Sequence, residues 1–105
     1  MNIKLLIDPT KRTNPPAYTQ DSAADLVSWY QSAVNSGQTM VPSADCGNSS
    51  LSNMASVVLR AIVDSQPAQE VTIVCRDGAE AKVYAQMYNF WFAGTKAERL
   101  EVEED

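Results

Sequence analysis

Residues 69–94 read QEVTIVCRDGAEAKVYAQMYNFWFAG, and the fold turns on this stretch. Val71, Ile73 and Cys75 alternate with Thr72 and Val74, the period-2 pattern of a strand with two different faces. Arg76-Asp77-Gly78 follows as a turn in which Gly78 is free to take a positive φ. Val83, Met87, Phe90 and Trp91 then recur at helical spacing until Gly94 supplies a stop. Phe90, Trp91 and Phe92 cannot all share one side of a helix, so at least one ring is expected near the surface. A strand that runs directly into an amphipathic helix needs a sheet to join and an apolar face to cover. The chain before it has to provide both.

Immediately upstream, Leu51, Met54, Ala55, Val58, Leu59 and Ile62 form the cleanest helical stripe in the protein, opened by Ser49 or Ser50 and ended by Asp64-Ser65-Gln66-Pro67. Before it, Gln38–Pro42 is a short strand candidate in which Pro42 implies an edge position or an early end. SADCGN at Ser43–Asn48 has turn composition and is expected to lead into a very short further strand. An earlier helix starts at Asp21 or Ser22 and runs to about Ser36, with Ala23, Leu26, Val27, Tyr30 and Val34 on one stripe and Gly37 closing it. Asn2–Asp8 reads as the first strand, with Ile3, Leu5 and Ile7 on one face. Between them, Thr10–Thr19 carries Pro15 and Pro16 and reads as an extended loop, the place on a rigid scaffold where sites usually lie. Three one-sided helical stripes predict an α+β domain with all three helices on one face of a small antiparallel sheet.

The chain has 105 residues, enough for a single domain with a modest core, and 45% of them are hydrophobic. Its formal net charge of −5 arises from 13 acidic and 8 basic residues, with Glu98, Glu101, Glu103, Glu104 and Asp105 concentrated at the end. We therefore divide it into a domain at residues 1–94 and an acidic tail at 95–105, where Leu100 and Val102 alternate as a marginal strand would. A near-neutral body lacks the basic patch that phosphate backbones require, so no nucleic-acid partner is expected. No apolar run is long enough to span a bilayer, and MNIKLLIDP lacks the apolar core of a signal peptide, so the expectation is a cytoplasmic protein with no membrane partner.

Histidine is absent, which removes the usual general base, phosphohistidine carrier and metal ligand together. Cys46 and Cys75 have neither disulfide-framework nor metal-site spacing, and Cys75 reads as a buried apolar residue of the strand. No GxSxG, Walker loop or GxGxxG is present. No catalytic residue, metal or cofactor is implied. Asp21 and Asp25 suit the positive end of a helix rather than an acid/base pair. Ser49 and Ser50 read first as helix caps, and a helix start is also where an added phosphate is stabilised, which makes them candidate regulatory phosphorylation sites.

Three segments carry a resemblance to a known family. Tyr18-Thr19-Gln20-Asp21-Ser22-Ala23-Ala24, Asn48-Ser49-Ser50-Leu51, and Glu70-Val71-Thr72-Ile73 through Asp77-Gly78-Ala79-Glu80 resemble corresponding parts of the HPr family, the small phosphocarriers of the bacterial sugar phosphotransferase system. The resemblance spans about Asn2 to Phe92 and rests on pattern rather than identity. It implies an HPr-like open-faced β-sandwich, with a four-stranded antiparallel sheet under three helices. The family's phosphorylatable histidine aligns with Thr19 or Gln20, and its arginine and proline with Asp21 and Ser22, so phosphohistidine transfer is excluded for this chain. The Asp8–Thr19 loop is longer than the family's, and the tail after Gly94 is additional. The implied function is a non-enzymatic HPr-like regulatory protein, linked to sugar phosphotransferase regulation, that binds a regulator or phosphotransferase component through Tyr18, Thr19, Gln20, Asp21, Leu51 and Met54. The alternative is a small acidic protein, phage-borne or accessory, that blocks a host protein through its tail and exposed aromatics. A cysteine-nucleophile enzyme is a distant third.

Overall fold

The computed structural model describes residues 3–11, 15–19, 22–47, 49–91 and 102–104. Their elements run β1 (Ile3–Ile7), a 3-10 turn (Pro9–Lys11), α1 (Ala23–Asn35), β2 (Met40–Pro42), α2 (Leu51–Asp64), β3 (Val71–Cys75), α3 (Gly78–Trp91) and β4 (Val102–Glu104). The strands lie in the order β2-β3-β1-β4. Ile3 to Ile7 pair in register with Val71 to Cys75, Met40 to Pro42 with Thr72 to Val74, and Leu5 to Ile7 with Val102 to Glu104.

Every one of these pairings is parallel, which corrects the antiparallel sheet expected from the sequence. The reason lies in the connections. Strands joined by a tight hairpin run antiparallel, whereas strands joined through a helix return in the same direction. The short second strand expected after Pro42 does not form; Asp45 makes only an isolated parallel bridge to Ala17. With that hairpin gone, a helix separates each strand from the next. The coarser expectation holds among the described residues: three helices cover one face of a small sheet.

That face is built from alternate strand residues. Ile3, Leu5, Val41, Val71, Ile73 and Cys75 join Leu26, Tyr30 and Val34 of α1, Met54, Val58, Leu59 and Ile62 of α2, and Ala81, Tyr84 and Tyr88 of α3 in one buried cluster. Each fully buried aliphatic side chain contributes roughly 1.5–3 kcal/mol. Leu6 and Val74 pair in register, are also buried, and lie on the opposite face. Pro42 sits at the sheet edge, as a residue without an N–H donor should. All three helices lie on one face, yet the step from β1 to β2 runs opposite to the step from β2 to β3. The two crossovers therefore have opposite hands, and one is the uncommon left-handed form.

The helices start and stop much where local chemistry directs. Ser50 caps α2, its Oγ accepting the Asn53 N–H at 3.2 Å. Gly37 ends α1 at φ 94°, a conformation that a side chain would oppose. Two details of the opening stretch differ from expectation. Gly78 does not take a positive φ; it is the first residue of α3, which Asp77 caps through a 2.9 Å bond from the Glu80 N–H. The α3 core stripe is Ala81, Tyr84 and Tyr88, while Val83 and Met87 are only half-buried and Phe90 is 73% exposed. The buried tyrosine hydroxyls find partners, so rings of greater area take the core positions. The expected stop at Gly94 and most of the acidic tail lie outside the described residues, but Val102–Glu104 does form a strand, beside β1.

Candidate functional site

In a parallel sheet all strands end at the same edge, and the loops leaving that edge are where ligands and partners usually bind. Here three loops meet there, after β1, β2 and β3.

The first begins at Asp8, which is 8% exposed. Its N–H donates to the Cys75 carbonyl at 3.3 Å, extending the β1–β3 pairing by one residue. Its Oδ1 accepts the Thr10 N–H at 3.0 Å and the Thr10 hydroxyl at 2.5 Å, and Lys11 Nζ lies 3.6 Å from Oδ2. The Thr10 hydroxyl, more than the Lys11 charge, holds the Asp8 carboxyl below the usual carboxylate range. Asp8 thus organises the Pro9–Lys11 turn through its own side chain. Further along, Pro15 and Pro16 hold the chain extended, and Pro16–Tyr18 docks on Asp45: Asp45 N–H to the Pro16 carbonyl at 2.8 Å, Tyr18 N–H to the Asp45 carbonyl at 2.6 Å.

Two buried tyrosines position the second loop and the helix it opens. Tyr30 of α1 donates its hydroxyl to the Pro42 carbonyl at 2.5 Å. Tyr84 of α3 donates to Met54 Sδ at 2.9 Å. Burial, reinforced by the nearby Tyr30 and Glu80, pushes the Tyr84 phenol well above its usual value, so it stays protonated and able to donate. The Ser43 N–H continues the ladder to the Val74 carbonyl at 2.9 Å. Gly47 then turns at φ 55°, and a Cβ there would sit 3.3 Å from the Tyr18 carbonyl, so glycine lets the first two loops approach closely. The Ser49 N–H donates to the Cys46 carbonyl at 2.8 Å and delivers the chain to Ser50 and α2.

The third loop is a reciprocal cap. Asp77 accepts the Glu80 N–H, and Glu80 Oε1 reaches back to the Arg76 N–H at 2.9 Å. Glu80 is only 1% exposed, and its charge, followed by that of Asp77, raises the Arg76 pKa. Arg76 Nε lies 3.4 Å from Asp77 Oδ2. The Glu80 N–H bond keeps the Asp77 carboxyl below its usual value. Asp77 and Glu80 were not among the sequence-derived site residues, although the D-G-A-E spacing is a legible capping-box signal.

Asp8, Asp77 and Glu80 spend their oxygens on neighbouring amides, the Thr10 hydroxyl and surface cations. Among the described residues, no group of three His, Cys, Asp or Glu side chains has the arrangement to hold a metal ion. Cys75 is fully buried in β3 and Cys46 half-buried.

The two segments singled out from the sequence are brought together at this edge. The Ala17–Asp45 bridge ties the end of the first loop to the segment that opens α2. Thr19 and Ser50 are exposed, and Ser49 and Leu51 half-buried. Tyr18, 7% exposed, and Met54, fully buried, are core residues rather than contact residues, which corrects their assignment as partner-binding positions. The helical stripe that identified Met54 as apolar is the reason it faces inward. Gln20 and Asp21 lie outside the described residues. Thr19 and Ser22 bond reciprocally, Thr19 N–H to Ser22 Oγ at 2.9 Å and Ser22 N–H to Thr19 Oγ1 at 3.1 Å, so Ser22 does not cap α1 with its side chain.

No protein-family model, curated protein or solved structure matches this chain.

Proposed function

We propose that this domain is a non-catalytic protein-binding module whose contact surface is the patch formed by Thr19, Ser49, Ser50 and Leu51 at the carboxyl edge of the sheet. The observation that carries this reading is the Ala17–Asp45 bridge, which makes one surface from two segments remote in sequence. The patch is mounted on rigid supports, namely the Tyr30 and Tyr84 hydroxyl bonds and the Ser50 cap, so its geometry is preorganised for a partner. The acidic groups around it are engaged in holding loops, which favours binding over catalysis. A parallel sheet gives no support to an HPr-like antiparallel sandwich, so a role in sugar phosphotransferase regulation no longer draws on the fold.

The test is site-specific photocrosslinking from Thr19, Ser50 and, as a control on the same helix, exposed Arg60. A single partner captured from positions 19 and 50 but not from 60 is the expected result. Ser50→Asp keeps a capping oxygen and adds charge, so it should weaken or strengthen capture without unfolding the domain. Equal capture from all three positions, or capture from 60 alone, would move the interface elsewhere.

A further inference from the structure

At the opposite edge of the sheet, where strands begin, a pocket of about 270 Å³ opens between the last turns of α1 and α2 and the start of β3. Val34 and Val71 line it, together with four amide residues, Asn35, Gln38, Gln66 and Gln69. No charged residue lines it, while Asp64 and Glu70 adjoin it in sequence. Both helices present their carboxyl ends here, the negative ends of their dipoles. An anionic ligand would thus meet an unfavourable potential and no cation, whereas the amide residues of the lining can both donate to and accept from hydroxyl groups. The volume lies just below the roughly 300 Å³ at which drug-sized pockets begin, so the occupant is small.

The backbone at Gln66 adds an independent observation. Gly37 and Gln66 each lie one residue beyond the cap of their helix, and both have positive φ, 94° and 49°. After α1 the slot holds glycine, the residue it suits. After α2 it holds glutamine, which is strained there and is one of the residues lining the pocket. Strain retained beside a pocket is a pointer to a site.

We infer that this pocket binds a neutral, polyhydroxylated small molecule of about monosaccharide size, with Gln66 as a specificity-determining contact. The site is distinct from the protein-binding patch and does not depend on it.

The test uses the full chain and three probes: D-glucose, myo-inositol and glucose 6-phosphate, titrated while the side-chain amide signals are followed by NMR. Saturable shifts of the Asn35, Gln38, Gln66 and Gln69 amides with glucose or inositol, but not with the phosphate, are expected. Gln66→Gly should raise the melting temperature by relieving the strained φ, yet weaken binding about tenfold through the lost hydrogen bonds. Gln66→Asn, which tolerates the same conformation and keeps the carboxamide, should retain most of the affinity. No saturable shift with either neutral probe would overturn the proposal, as would equal binding of the phosphate. Unchanged affinity in Gln66→Gly would overturn the role of Gln66.

Discussion

The Tyr84 hydroxyl is a single atom on which the geometry of the carboxyl edge depends, and Tyr84→Phe isolates it. In the native protein it donates to Met54 Sδ at 2.9 Å, with Tyr84 and Met54 each 0% exposed. Phenylalanine keeps the ring and its packing but removes the bond to Met54 Sδ. A typical intramolecular hydrogen bond contributes roughly 0.5–1.5 kcal/mol net, and one to a weak sulfur acceptor stands at the low end. The net expectation is about 0.5–1 kcal/mol of destabilisation, which is a fall of a few degrees in Tm for a domain of this size. Urea unfolding should show a lower midpoint at an unchanged slope, since the buried area hardly alters. Hydrogen exchange at the Tyr18 and Asp45 amides should accelerate, because both depend on the 43–47 segment staying in place. Tyr30→Phe removes the donor to the Pro42 carbonyl, a stronger acceptor than a thioether, so it should cost more. Tyr30 and Tyr84 share one core cluster, so the two substitutions should combine non-additively. If Tyr84→Phe is as stable as the native chain with unchanged exchange at Tyr18 and Asp45, then the hydroxyl does not hold this edge and the reasoning fails.

Two further outcomes can be stated. Ser50→Ala should destabilise the domain by about 1 kcal/mol through loss of the α2 cap, whereas Ser22→Ala, whose hydroxyl caps no α1 amide, should cost less; thermal melts of both variants decide it. The folded-state pKa values of Asp8 and Asp77 lie below their ordinary 3.8, so their stabilising contribution is present above that value and is lost as pH falls through the folded values. Comparing unfolding midpoints at pH 7 and near pH 3 should therefore show a fall that is smaller in the Asp8→Asn, Asp77→Asn double variant; an identical acid response would refute the assignment.

Much of the secondary structure could be read locally. The alternation in Val71–Cys75 and the stripe from Leu51 to Ile62 both depend on spacing within a few residues, and both elements form where that spacing puts them. The sequence also located the two loops that meet at the candidate site. It misplaced the facing of α3 by one position, because Tyr84 and Val83 are both apolar enough to be core and only the bond of the Tyr84 hydroxyl to Met54 decides between them. It treated Tyr18 and Met54 as contact residues because a resemblance assigns positions without assigning burial.

What the sequence determined alone is therefore most of the elements and several of their ends: apolar periodicity, the Ser50 cap, the Gly37 stop and the edge placement of Pro42 are properties of neighbouring residues. The tertiary structure decided strand direction, the crossover hands, the meeting of Ala17 with Asp45 and the pocket between two helix ends. Each of these depends on which surfaces pack together across long stretches of chain. A three-residue strand such as Met40–Pro42 shows the same alternation whichever way its neighbour runs. The direction follows from the connections, a helix separating each strand from the next where the sequence suggested a hairpin.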